Sequence, residues 1–104
     1  MQIQINTDNN IEGHEKLAAE FESIVKSKLS QFSDQITRVE VHLSDENSHK
    51  DGQDDKRCMI EARIKGRQPI AVTHQASTLD QAVDGATNKM KKSIESDLRP
   101  QDHR

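Results

Sequence analysis

Five histidines, one cysteine, a run of carboxylates and a scatter of lysines are the side chains here with chemistry to offer, and their spacing decides among them. His14, His42, His49, His74 and His103 never fall three or four apart on one helix, and Cys58 has no second cysteine beside it. A zinc site needs ligands that converge, usually as short-spaced pairs. No metal site is therefore expected, beyond adventitious binding by His42, His49 and nearby aspartates. Asp45, Glu46, Asp51, Asp54 and Asp55 supply oxygen ligands around Gly52, but not in the register of a calcium loop. Cys58 falls on the apolar side of an alternating segment, where a thiol packs and does not react. No Gly-rich phosphate loop and no Gly-x-Ser-x-Gly elbow occurs. The chain reads as a binding domain, not an enzyme, and no cofactor is expected.

The basic residues carry the partner signal. Lys89, Lys91, Lys92 and Arg99 belong to the exposed faces of a C-terminal helical pattern, and Lys26 and Lys28 to an N-terminal one. If the two helices pack side by side, these merge into one surface with Arg63, Lys65 and Arg67 at its edge. Clustered cations hold nucleic-acid phosphate because each neutralised phosphate releases counterions. The plainer reading is a solvated helix end that complements the helix dipole, diluted by Glu95 and Asp97. A formal net charge of −3 excludes whole-molecule attraction to nucleic acid but permits a local basic face. With two phenylalanines and no tyrosine or tryptophan, there is no platform for stacking bases. RNA would be recognised by shape and backbone.

The elements that must position these groups are legible as changes of period. Gln2–Asn6 alternates, with Ile3 and Ile5 on one face of a short strand. Thr7–Asn10 is a turn cluster. From Gly13, Leu17, Ala18, Phe21, Ile24, Val25, Leu29 and Phe32 form one helical stripe, which ends near Phe32–Ser33. Ile36–Leu43 returns to period two, with Val39, Val41 and Leu43 inward and Arg38, Glu40 and His42 outward. Ser44–Asp55 is polar throughout and reads as a long, mobile hairpin loop. Arg57–Lys65 alternates again, with Cys58, Ile60, Ala62 and Ile64 inward and the apolar Met59 outward, as a partner contact or a lone surface group. Gly66–Gln68 is a turn, Pro69 opens a strand, and Ile70, Val72 and His74 face inward from it. Ser77 and Thr78 start a second helix, whose stripe runs Leu79, Ala82, Val83, Ala86, Met90, Ile94 and Leu98 before Pro100.

The order β-α-β-β-β-α predicts an α+β fold: an antiparallel-type, four-stranded sheet with two helices packed on one face. Three strands form a meander, and the first joins by a crossover through helix one. Residues 1–98 make a single domain and 99–104 a short flexible tail. One cysteine, no apolar leader and no apolar stretch near the ~20 residues that span a bilayer predict a soluble cytoplasmic protein.

The strand and helix from Ala71 to Asp84 (AVTHQASTLDQAVD), followed by Asn88-Lys89-Met90-Lys91-Lys92, resemble the ribosome hibernation-promoting factor family, also called ribosome-associated inhibitor A or the sigma-54 modulation proteins. The resemblance extends from Met1 to about Leu98. It implies a stress-response translation regulator of the short type, bound to small-subunit rRNA and blocking the channel for messenger and transfer RNA. Lys28, Lys89 and Lys92 stand where the family usually carries basic residues. They are the first expected rRNA contacts, then Lys91, Arg63 and Lys65. The net acidity, the aromatic-free start of helix two and the acidic 45–55 stretch favour a second reading. In that one, the open sheet face binds a protein partner or a second copy as a homodimer, without the ribosome.

Overall fold

The computed structural model describes residues 1–8, 11, 14–46 and 55–98. The elements follow as β1 (Gln2–Thr7), α1 (His14–Lys28), a 3-10 turn (Ser30–Phe32), β2 (Ile36–Asp45), β3 (Lys56–Ile64), β4 (Ile70–Ala76) and α2 (Leu79–Leu98). The sheet order is β1-β2-β3-β4. The β2–β3 and β3–β4 pairs are antiparallel, whereas β1 lies parallel to β2. Parallel neighbours need a crossover connection, which α1 supplies, so the sheet is mixed.

Alternation along each strand gives the sheet a dry face and a wet one. Val39, Val41, Leu43, Cys58, Ile60, Ala62 and Ile64 are buried on the dry face. Both helices cover that face. Phe21 and Val25 come from α1, Leu29 from the residue that follows it, and Ala82, Val83, Ala86, Met90 and Ile94 from α2. Each large apolar side chain removed from water this way contributes about 1.5–3 kcal/mol. Alanines at 82 and 86 let α2 sit close over β3 and β4, the strands it touches. The buried Thr87 hydroxyl donates to the Val83 carbonyl at 2.6 Å, so this polar group in the core is satisfied.

Several boundaries differ from the sequence expectation, each for a local reason. Helix α1 stops at Lys28, and Phe32 reaches the core from a tighter 3-10 turn, in which Phe32 N donates to Leu29 O. The Ser30 hydroxyl donates to Ser27 O, a side-chain bond that competes with helix continuation. Ile24, placed in the apolar stripe, is instead 38 % exposed, at the margin of the helix where it lines a groove with Asp80, Gln81 and Asp84. Ile11 is buried, although it stands alone in a polar stretch. A bulge at Thr37 shifts the register between Ile36↔Ile64 and Arg38↔Arg63. The extra residue turns Ile36 into the core while Arg38 keeps the wet face. The β2–β3 ladder also runs further than expected, to Asp45↔Lys56, where the Lys56 ammonium meets Asp55 at 3.1 Å and Asp45 at 3.6 Å. Hydrogen bonding to Asp55 holds the Lys56 ammonium above its usual range. Most of the expected hairpin loop, 47–54, and the 99–104 tail lie outside the described residues.

Candidate nucleic-acid interface

The flank of α2 that runs along β4 gathers cations and donors in register with the strand. Thr78 caps the helix by accepting the Gln81 amide at 3.1 Å, and the Ser77 hydroxyl donates to Gln81 Oε1 at 2.9 Å. That cap fixes the rotation of the turns behind it. Gly85 presents no side chain because the His74 ring occupies the space: a Cβ there would lie 2.1 Å from His74 Cδ2. One turn later the Lys89 ammonium folds over the strand edge and donates to Thr73 O at 2.8 Å. Beyond it Lys92 lines a shallow groove with Ile70, Ser93, Ser96 and Asp97. Arg67 closes the groove's end by donating to Asp97 O at 2.7 Å, with the Asp97 carboxylate 3.6 Å away. Its turn is possible because Gly66 takes a positive φ of 68°. Lys65 sits in the same turn, with its backbone amide on Gln35 O at 2.9 Å.

The expected basic residues do not merge into one surface. Lys89 and Lys92 share the β4 flank, with Lys65 and Arg67 at its lower end. Lys28 lies on the other side of α2, in an ion pair with Asp84 that ties the two helices together. Lys91 follows Asp84 by two helical turns and so faces α1 as well. The groove on that side is lined by Ile24, Asp80, Gln81 and Asp84, so it is locally acidic. Arg63 is on the wet face of the sheet, directly across from Arg38. On that face Glu40 takes Arg38 at 2.9 Å and His42 at 3.5 Å, and the Arg38 hydrogen bond holds the Glu40 carboxyl below its usual range. Met59 stands half-buried beside His42 and Thr73.

Sequence reasoning missed Asp84, His74 and Gly85 as the groups that orient this surface. A glycine inside a strong helical pattern was the available signal, since it costs about 1 kcal/mol against alanine unless something needs the room. His42 and His74 sit on opposite faces of the sheet and cannot share a ligand. Among the described residues no three His, Cys, Asp or Glu side chains converge as a metal site. Burial pushes the Cys58 thiol up to about 12, so it is not a nucleophile at neutral pH. No described helix is long and apolar enough to cross a membrane.

Comparison with solved structures finds the same fold. The N-terminal domain of Thermus thermophilus Protein Y superposes with a TM-score of 0.68 at 18% identity, over 92% of this chain and 98% of that one. A ribosomal subunit interface protein from Coxiella burnetii gives 0.67 at 13% identity, over 92% and 96%. No curated protein sequence matches this chain. The sequence model of the Sigma 54 modulation protein / S30EA ribosomal protein family matches residues 3–98, from within β1 to the end of α2. The chain belongs to the Sigma 54 modulation protein / S30EA ribosomal protein family.

Proposed function

We propose that this chain is a non-catalytic, cytoplasmic ribosome-associated regulator of translation. It binds small-subunit rRNA along the α2–β4 flank and blocks the path of messenger and transfer RNA by occupying it. The observation that carries the reading is the family match across residues 3–98. The flank supports it: Lys92, Ser93 and Ser96 line one groove, and Lys89 stands one turn before them at the strand edge. A lysine ammonium has three donors. Thr73 O takes one from Lys89, which leaves the others for phosphate. Lys92 and Lys89 are therefore the leading contacts, with Lys65 and Arg67 extending the line. Lys28 and Lys91 face the acidic inter-helix groove and Arg63 faces away, so these three contribute less in this arrangement.

Cosedimentation of the purified protein with 30S and 70S particles, at low and moderate salt, tests the proposal. Pelleting with 30S is expected to fall steeply as salt rises, because phosphate contacts release counterions. Lys89→Glu with Lys92→Glu should abolish it, while Lys28→Glu should change it little. Salt-independent pelleting, or equal losses from Lys28→Glu and the double reversal, would overturn the assignment of the flank.

A further inference from the structure

We infer that β4 is a latent self-pairing edge, that the partner it fits is the β4 strand of a second copy, and that the Lys89 ammonium keeps it closed. The direction of the edge groups follows from the ladder. Glu46 N donates to Asp55 O at 2.9 Å, which continues the β2–β3 pairing by one step. In an antiparallel ladder the mutually bonded pairs recur every second residue. Arg57, Met59 and Glu61 therefore spend their backbone groups on β2, and Cys58, Ile60 and Ala62 spend theirs on β4. Their partners are His74, Val72 and Ile70. Ala71, Thr73 and Gln75 are left with N–H and C=O pointing off the sheet, and the Lys89 bond to Thr73 O meets one of these carbonyls.

The strand that carries them, IAVTHQA, has no acidic residue, lysine, arginine or proline, and includes the strand formers Ile70, Val72 and Thr73. Edges of this kind pair with other chains unless something blunts them, and lysine is a common blunting device. Antiparallel self-pairing about Thr73 sets Thr73 opposite its own copy and Ala71 opposite the copy's Gln75. Val72 then meets the copy's His74 on the dry face, and Ile70 meets Ala76. Ile70 and Val72, half-buried in the single copy, would then extend the existing core instead of facing water. Helix α2 touches both β3 and β4. An axis near the gap between them would place the two α2 helices about two strand spacings apart, ~10 Å. That is the ordinary helix-packing distance of about 8–10 Å. The facing flank is small at Ser93 and Ser96, Lys92 stands beside them, and Lys89 is the side chain that folds over the strand edge. In the paired state two Lys89 ammonium groups would meet near the axis, so the same residue both caps the carbonyl and repels its copy.

The wet sheet face is a poorer surface for a second copy. It opposes Arg38 with Arg63 and Glu40 with Glu61, and Arg38, Glu40 and His42 are already paired among themselves.

The test needs no ribosome, so it stands apart from the proposed function. Lys89→Met keeps the aliphatic stem and removes the charge and the donors. Mass in solution should rise from the 11.8 kDa monomer toward double that value as concentration increases. Lys89→Arg should remain monomeric. Adding Thr73→Pro to Lys89→Met should restore the monomer, because proline deletes the outward N–H without touching the β3 ladder. Hydrogen exchange gives an independent reading on the same samples. The amides of Ala71, Thr73 and Gln75 should gain protection in Lys89→Met and stay unprotected in the parent. A Lys89→Met monomer with unprotected edge amides, a dimer that survives Thr73→Pro, or a parent already paired through β4 each overturns the inference.

Discussion

Gly85→Ala is the perturbation that best isolates the contact orienting the α2 flank. In a free helix the change stabilises by about 1 kcal/mol, since glycine is the poorer helix former. Here the new Cβ would lie 2.1 Å from His74 Cδ2, 2.3 Å from Nε2 and 2.6 Å from Cγ. Ordinary carbon contact is about 3.5 Å, so the ring must retreat by roughly 1.4 Å or leave its rotamer. Forcing an extra carbon into filled space costs about 1–3 kcal/mol. The net effect in the parent protein is a loss of about 0–2 kcal/mol. In a His74→Ala background the obstacle is gone, and the same substitution should stabilise by about 1 kcal/mol. The double-mutant cycle thus carries a coupling of about 1–3 kcal/mol, measurable by urea unfolding followed by circular dichroism. Equal effects of Gly85→Ala in both backgrounds would refute the argument, because the glycine would then owe nothing to the histidine.

Two further outcomes follow from the interior and from the helix start. Cys58 is held up to about 12 by burial, whereas an unfolded thiol titrates near ~8.5. Its contribution is intact below ~8.5 and declines as pH rises toward its folded value, at up to ~1.4 kcal/mol per pH unit, since only the unfolded chain releases the proton. Cys58→Ala should be less stable at neutral pH yet show a flatter alkaline decline; parallel declines in urea midpoint would sink the assignment. Thr78→Ala removes the acceptor for the Gln81 amide and should cost about 1 kcal/mol, against a negligible effect if Ser77 takes over the cap.

The fold was legible because its two periods are clean. Val39, Val41 and Leu43 alternate with charged neighbours, and Val83, Ala86, Met90 and Ile94 repeat at helical spacing. What the periods could not supply is rotation and register. A helical stripe says which residues are apolar but not which neighbour covers its margins, so Ile24 was placed inside and emerged at the groove beside Asp80 and Asp84. The bulge at Thr37 leaves no mark in composition, since it moves a residue without changing any. The lysines were found as types, but α2 carries them on two sides. Only the bond from Lys89 to Thr73 O and the ion pair from Lys28 to Asp84 reveal the division.

The parallel seating of β1 against β2 also has a consequence in time. The β2–β3 and β3–β4 pairs join segments close in sequence, while Ile3 must wait for Val39 and Ile5 for Val41. On a growing chain β1 is thus left without its neighbour until the whole crossover has been synthesised. The closure entropy of that long loop must be met before any β1 contact returns energy. The meander can form its ladders meanwhile, which leaves the β2 margin open until β1 comes back to fill it.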